Sequence, residues 1–555
     1  MSRFIALVAS LLLTPLLWAQ SFSEVTPSSD PFFNTGPNED FWVNAVAPAD
    51  YDGDGRIDLA VLGFYVVYNV SVEDKLILFH NDGEAGDGTW AFSSTEVPLG
   101  GIVAGASDLA WGDFDNDGDY DLAVGSEGTT TLFRNDGGTL VAMPVSLPGY
   151  SEDSGYDDTY DLRSLTFADF DNDGDLDLLI PSIYDPATFS FRTALMRNDG
   201  DDGLGGWIFT DAEAGLDPTA HAQSAWADFD GDGDLDLFMA NVDFYGDTSF
   251  IKIFANDAGT LTGTDPLGIR IAHGLADIAD ADGDGDQDIL VAGNIEEQDG
   301  TFDTVLRIYT NDAGTYVPTT LIDAPNADWL DINAATWADY DSDGDVDLLV
   351  TGTFIGDTEI EGKSVIFAND NGTFTPLDVV LPAPIGSVGR GGAFTWFDLD
   401  GDGDLDYLIA GAFFVPGGNG LVEAKLRLFR NTSSGSNAPP EAPEGLRSEP
   451  AATGVTLAWN PARDDHTPSA QLTYDLELWR DGVPVTLPAR LPEPGSVSAA
   501  TRWTIASLPD GNYTWRVRAV DSAYAGGAAA QGTFALPFDL ESIFANGFEL
   551  AGFEI

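Results

Sequence analysis

Seven copies of one nine-residue pattern, D-x-D-x-D-G-x-x-D, carry the chemistry this chain can do. A carboxylate at every second position lets a short loop turn several hard oxygen ligands toward one cation. The candidate ligands at the first, third, fifth and ninth positions are Asp50, Asp52, Asp54 and Asp58 in the first copy, then Asp113, Asp115, Asp117 and Asp121. Asp169, Asp171, Asp173 and Asp177 follow, then Asp228, Asp230, Asp232 and Asp236, and Asp280, Asp282, Asp284 and Asp288. The last two sets are Asp339, Asp341, Asp343 and Asp347, and Asp398, Asp400, Asp402 and Asp406. A backbone carbonyl at position seven is expected to complete each shell. Glycine at position six, from Gly55 to Gly403, permits the sharp turn. An all-protein oxygen cage of this kind suits calcium better than magnesium, which gives up its waters reluctantly. Carboxylates about 4 Å apart repel by roughly 1 kcal/mol even in water. A merely solvated acidic turn is therefore the weaker reading, and up to seven structural calcium ions are expected.

The elements that must position these loops can be read from their flanks. The copies recur at intervals of 63, 56, 59, 52, 59 and 59 residues, a period that gives one supersecondary unit per copy. Before each loop comes a short alternating run such as Asp108-Leu-Ala-Trp-Gly, and after it a buried-strand run such as Asp177-Leu-Leu-Ile. A third run ends in Asn-Asp, as at Lys252-Ile-Phe-Ala-Asn-Asp, and a glycine-containing turn leads to a fourth, as at Gly372-Thr-Phe-Thr-Pro-Leu. Positions ten to twelve of each loop enter a strand, which excludes an EF-hand. Four short antiparallel strands in each of seven units describe a seven-bladed calcium-binding β-propeller. The seventh unit runs from its third strand at Lys425–Asn431 into Thr432-Ser-Ser-Gly and lacks a fourth. Ser21-Phe-Ser-Glu-Val-Thr26 is expected to supply it, closing the ring and covering two open edges. Trp111, Phe167, Trp226, Trp337 and Trp396, each two residues before a loop, read as core between blades rather than as a sugar platform.

The loops, the strand after them and the Asn-Asp-Gly turn resemble the FG-GAP/VCBS-type repeats of integrin α-chain propellers and many secreted bacterial proteins, over roughly residues 21–431. The Phe-Gly and Gly-Ala-Pro halves that name the family are largely degraded here. The resemblance implies calcium bound in the hairpin between the first and second strands of a blade.

Composition narrows the function. The chain has 555 residues, 43% of them hydrophobic, and a formal charge of −71. Seven divalent ions would leave −57, which disfavours a nucleic-acid backbone or an anionic membrane face as partner. Arg3 followed by the apolar run Phe4–Trp18, with a cleavage site near Ala19, reads as a signal peptide over 1–19. No later segment is long and apolar enough for a span, so export to the cell surface or medium is expected. With no cysteine anywhere, disulfides and thiolate chemistry are excluded, and ions are the natural cross-links.

After a Pro/Ser-rich linker at 432–443, residues 444–535 show strands at sandwich spacing. They resemble a fibronectin type III module, with Trp459 as core tryptophan and Leu508-Pro-Asp-Gly-Asn-Tyr513 as its tyrosine corner. The tail at 536–555 contains Ile543-Phe-Ala-Asn-Gly-Phe-Glu549, which resembles a short sorting signature of exported proteobacterial proteins; a final sandwich strand is the alternative. Irregular loops beginning at Gly63, Ser182, Asn241 and Gly411 fall on the face opposite the acidic loops, where recognition is usual. Extracellular binding or adhesion to a glycan or surface protein is the leading expectation. The alternative is a carbohydrate lyase or hydrolase using His221, His273, Arg163, Arg270 and Arg390 on that face. The four histidines, His80, His221, His273 and His466, are scattered, and no catalytic motif is present.

Overall fold

In a computed structural model the chain is all-β, with no helix among the described residues. These are residues 22–27, 39–67, 71–86, 88–99, 108–149, 164–185, 190–204, 206–230, 232, 234–242, 248–296, 302–323, 330–355, 360–377, 381, 393–414, 422–432, 437–450, 454–469, 471–485, 491, 501–506 and 508–537. Among them, seven four-stranded antiparallel sheets each carry one acidic loop between their first and second strands. The first is built from Glu39–Ala49, Asp58–Val67, Ser71–Glu84 and Trp90–Val97. Both faces of each sheet are covered by its neighbours, so the second strands, such as Asp121–Ser126 and Asp236–Asn241, are buried throughout and read as continuous rather than alternating runs.

Side chains between adjacent sheets form one cluster per junction. Phe114, Phe167 and Leu178 lie between the second and third sheets, and Phe170, Leu195 and Leu237 between the third and fourth. The series returns to its start: Phe41, Leu59 and Phe79 of the first sheet pack with Phe397, Leu408 and Leu426 of the seventh. Each fully buried side chain of this size contributes roughly 1.5–3 kcal/mol. The aromatic stripe joins these clusters. Trp111, Phe167 and Trp396 are buried, while Trp226 and Trp337 are half-buried.

The seventh sheet comprises Ala393–Phe397, Asp406–Phe414 and Val422–Asn431, and its outer strand is Phe22–Glu24 from the start of the chain. Phe22 pairs with Asn431 and Glu24 with Phe429. The next residue ties this sheet to the first, because Val25 N–H donates to Leu428 O at 2.9 Å and Val25 O accepts from Trp90 N–H at 2.8 Å.

Beyond residue 437 a three-stranded sheet (Glu444–Pro450, Gly454–Asn460, Arg502–Ala506) faces a four-stranded one (Val483–Val485, Thr473–Arg480, Gly511–Val520, Ala530–Leu536). Trp459, Tyr474, Tyr513 and Trp515 fill the space between them. The Tyr513 hydroxyl donates to Pro509 O at 2.5 Å. The second half of the linker is tied to the sandwich. Pro440 is buried, Asn437 Nδ2 donates to Asp521 Oδ2 at 2.8 Å, and Glu441 N–H donates to Arg463 O at 2.8 Å. The loops of the sandwich satisfy these polar groups, which proline content alone did not anticipate. No helix among the described residues is long and apolar enough to cross a membrane. The expected signal segment and the terminal signature lie outside the described residues.

Candidate metal centres

Each acidic loop is wound by its own carboxylates. The first Asp accepts the N–H of the sixth-position glycine through Oδ2 in six loops, as Gly118 to Asp113 at 3.0 Å and Gly403 to Asp398 at 3.1 Å. These glycines have φ between +89° and +102° in the described loops, a region costly for any residue with a Cβ. The fifth-position Asp caps the seventh N–H, as Asp173 does for Asp175 at 3.0 Å. The ninth Asp is buried at the strand entrance, and its Oδ1 accepts the N–H of the Asn in the third strand, for example Asn198 to Asp177 at 2.7 Å. Its Oδ2 accepts the N–H of loop residue two in six loops, as Phe114 to Asp121 at 3.0 Å.

The expected ligands therefore converge. Oxygens of positions one, three and nine lie within 4.8 Å of one another in the sets Asp50/Asp52/Asp58, Asp113/Asp115/Asp121 and Asp169/Asp171/Asp177. The third-position Oδ1 of Asp171, Asp282, Asp341 and Asp400 is sealed from solvent with no hydrogen-bond partner. A buried carboxylate oxygen left unpaired is costly, and a divalent cation is the group that would satisfy several at once. Burial is the main cause that raises the loop acids from 3.8: Asp121 and Asp177 to about 9, Asp406 to about 8, and Asp169 and Asp288 to about 7. Neighbouring loop carboxylates push the same way, while the amide donors oppose. The donor set fits a hard divalent ion such as calcium.

Two features went unseen in the sequence. The seventh-position Asp turns away from the loop centre to hold the hairpin of its own sheet, as Asp119 Oδ2 accepts Gly137 N–H at 2.7 Å and Asp345 Oδ2 accepts Asn371 N–H at 2.8 Å. The Asn read as turn chemistry also staples neighbouring sheets. Its Nδ2 donates to the carbonyl of loop residue two in the preceding sheet: Asn135 to Tyr51 at 2.7 Å, Asn198 to Phe114 at 2.8 Å and Asn431 to Tyr340 at 3.0 Å. Asn81 of the first sheet donates to Leu399 of the seventh at 3.0 Å. The signal was available, since Asn recurs at the end of the third strand in every repeat and is followed by Asp in six of the seven.

On the opposite face, Arg163 and Arg390 lie outside the described residues, as does the His273 side chain. Three of the segments expected as irregular loops begin as strand instead: Gly63, Ser182 and Gly411 lie within Asp58–Val67, Asp177–Asp185 and Asp406–Phe414, where pairing with the neighbouring strands extends the sheet. Arg270 is exposed, with Nη1 3.8 Å from Glu296 Oε2. His221 is half-buried, its N–H donating to Asn241 Oδ1 at 3.3 Å. Near that end of the first sheet, Trp42 and Phe64 stack with ring centroids 6.2 Å apart and planes inclined by 7°, both half-buried.

The family model for an FG-GAP-like repeat matches residues 113–180, 228–291 and 280–350. These repeats and the cyclic packing of the sheets support a β-propeller. No curated protein matches the sequence. Among solved structures, the chain is similar to an Agrocybe aegerita lectin that recognises non-reducing terminal N-acetylglucosamine, at 15% identity and TM-score 0.39, covering 85% of this chain and 99% of that one. It is also similar to the exotype rhamnogalacturonan lyase YesX, at 16% identity and TM-score 0.39, covering 80% and 76%. The six-bladed Aleuria aurantia lectin gives 12% identity and TM-score 0.31, covering 72% and 97%. At these scores the likeness bears on neither ligand nor chemistry.

Proposed function

We propose that this is an exported seven-bladed propeller with a fibronectin type III-like module, stabilised by calcium in its acidic loops. Its face opposite those loops binds an extracellular glycan or a glycosylated surface protein. The 28 loop aspartates would hold divalent ions, calcium in the second to seventh loops at least, which supply positive charge and cross-link strands in a chain without cysteine. The binding reading rests on the stacked Trp42–Phe64 pair. Two parallel, half-buried aromatic rings at a sheet end supply the kind of rigid apolar surface on which a sugar ring stacks.

The test incubates the mature protein, in millimolar calcium, with labelled neutral and acidic polysaccharides and separates the mixture by size. Co-elution that is lost in Trp42→Ala, with the melting temperature unchanged, is expected. Shortened chains would instead mean an enzyme. Intact chains with no co-elution would sink the glycan reading and turn the search to protein partners.

A further inference from the structure

The first loop departs from the other six in three ways. Position seven is Arg56 where every other copy has Asp, and its guanidinium lies 3.1 Å from Asp54 Oδ2. The third strand places His80 over the loop, with Nδ1 3.0 Å from Asp52 Oδ2 and 3.3 Å from Asp58 Oδ1. That nitrogen is sealed from solvent and makes no hydrogen bond of good geometry to either carboxylate. Asp58 is fully buried, and its Oδ2, which accepts an amide in each of the other loops, has no partner here. The ligand atoms of Asp50, Asp52 and Asp58 lie within 4.8 Å of one another, and so do those of Asp52, Asp54 and His80, so that Asp52 joins the imidazole to the carboxylates of the loop.

We propose that the first loop is a transition-metal site of the zinc class, with His80 Nδ1 as a ligand beside Asp52, Asp58 and Asp50. Calcium takes oxygen ligands and gains from their charge. Arg56 lowers the negative charge of this loop, and an imidazole suits zinc far better than calcium. His80 Nε2 faces Asp82 Oδ1 at 3.7 Å and Asp54 Oδ2 at 3.9 Å, the kind of acidic neighbour that orients a metal-bound imidazole.

A second role for His80 is that of a counter-charge. The equivalent positions in three other sheets are Arg134, Arg197 and Arg430, and Arg430 Nε lies 2.5 Å from Asp400 Oδ2. Arginine can neutralise a loop but cannot ligate a metal, so His80→Arg separates the two roles.

The mature full-length protein, kept in excess calcium to fill the other loops, is titrated with zinc and, as a spectroscopic probe, cobalt. One tightly held equivalent of zinc is expected, with a cobalt absorption band that zinc displaces. His80→Arg and His80→Gln should both lose it, weakening zinc by more than the roughly 10–100-fold that loss of an outer partner costs, with calcium-bound melting unchanged. X-ray absorption at the zinc edge of the wild type should show an imidazole nitrogen in the coordination shell. An all-oxygen shell, no retained equivalent in the wild type, or an equivalent that survives in either folded variant overturns the proposal. The calcium reading of the other loops stands or falls separately, on melting in a calcium-selective chelator.

Discussion

The carboxamide of Asn198 donates to carbonyls of two sheets, Phe114 O at 2.8 Å and Leu176 O at 3.3 Å, and accepts the Gly200 N–H at 3.0 Å. It is fully buried. Asn198→Ala would orphan these partners, each at a cost of about 1–3 kcal/mol. We expect a total loss of at least about 3 kcal/mol in urea unfolding, with the metal content unchanged; a loss under about 1 kcal/mol would refute the staple. The loop acids give a second prediction at this scale. In the ion-free protein burial raises Asp121 and Asp177 to about 9 and Asp406 to about 8, against 3.8 ordinarily. The folded state then holds more protons than the unfolded state between pH 4 and 9, approximately. Their favourable balance is complete below pH ~4 and is lost as pH rises through that window. In chelator the unfolding midpoint should fall steadily as pH rises from about 5 to about 8, and saturating calcium should flatten the slope. Equal slopes with and without calcium would contradict ligation by these groups. At this scale the sequence was legible where a residue type repeats with its chemistry exposed, as the loop aspartates do. It was opaque where the partner is distant in sequence, as for Asn198 and Phe114, or where one repeat differs by a single side chain, as at His80.

Strands were the most legible elements, because alternation and the two turn signals bracket each of them. The pairing of Phe22–Glu24 with Val422–Asn431 was readable only by counting, from a unit lacking its fourth strand and a spare one at the start. Glu24 adds a two-point ion pair to Arg427, with Nε–Oε1 at 3.0 Å and Nη2–Oε2 at 2.6 Å. Both side chains are partly exposed, so this pair adds little stability. The backbone pairing and buried Val25 are the larger part. Deleting residues 20–27 of the mature chain should leave the Val422–Asn431 edge open to another copy. Light scattering should then show association or precipitation, and a synthetic peptide of residues 20–27 should suppress it. A deletion variant that stays monomeric and melts like the parent would show that the strand is dispensable. The linker's hydrogen bonds were not legible at this scale because proline content reports stiffness, not whether a neighbouring sandwich supplies hydrogen-bond partners.

At the scale of the molecule, the C-terminal sandwich leans on the fifth and sixth acidic loops, a contact with no trace in local pattern. Gln471 Nε2 donates to Asp280 O at 3.0 Å. A Cβ on Gly344 would come within 2.1 Å of His466 O, so the sixth loop can approach this closely only with glycine there. Ser522 Oγ donates at 2.6 Å to Asp339 Oδ2, the same oxygen that accepts Gly344 N–H at 3.0 Å. A hydroxyl that orients a ligating carboxylate tunes its metal, and its loss costs about 10–100-fold in affinity. Ser522→Ala should therefore weaken one calcium site by roughly tenfold and leave the others untouched. Linkage makes this reciprocal: if the sandwich favours the ion, the ion favours the docked sandwich. Small-angle scattering of the mature protein should show a more extended particle in chelator than in calcium, under conditions where strand content by circular dichroism is retained. Ser522→Ala should shift the calcium concentration at which the particle compacts. An unchanged calcium titration in that variant, with the same scattering profile in both states, would mean that the sandwich rests on the loops without sensing what they bind.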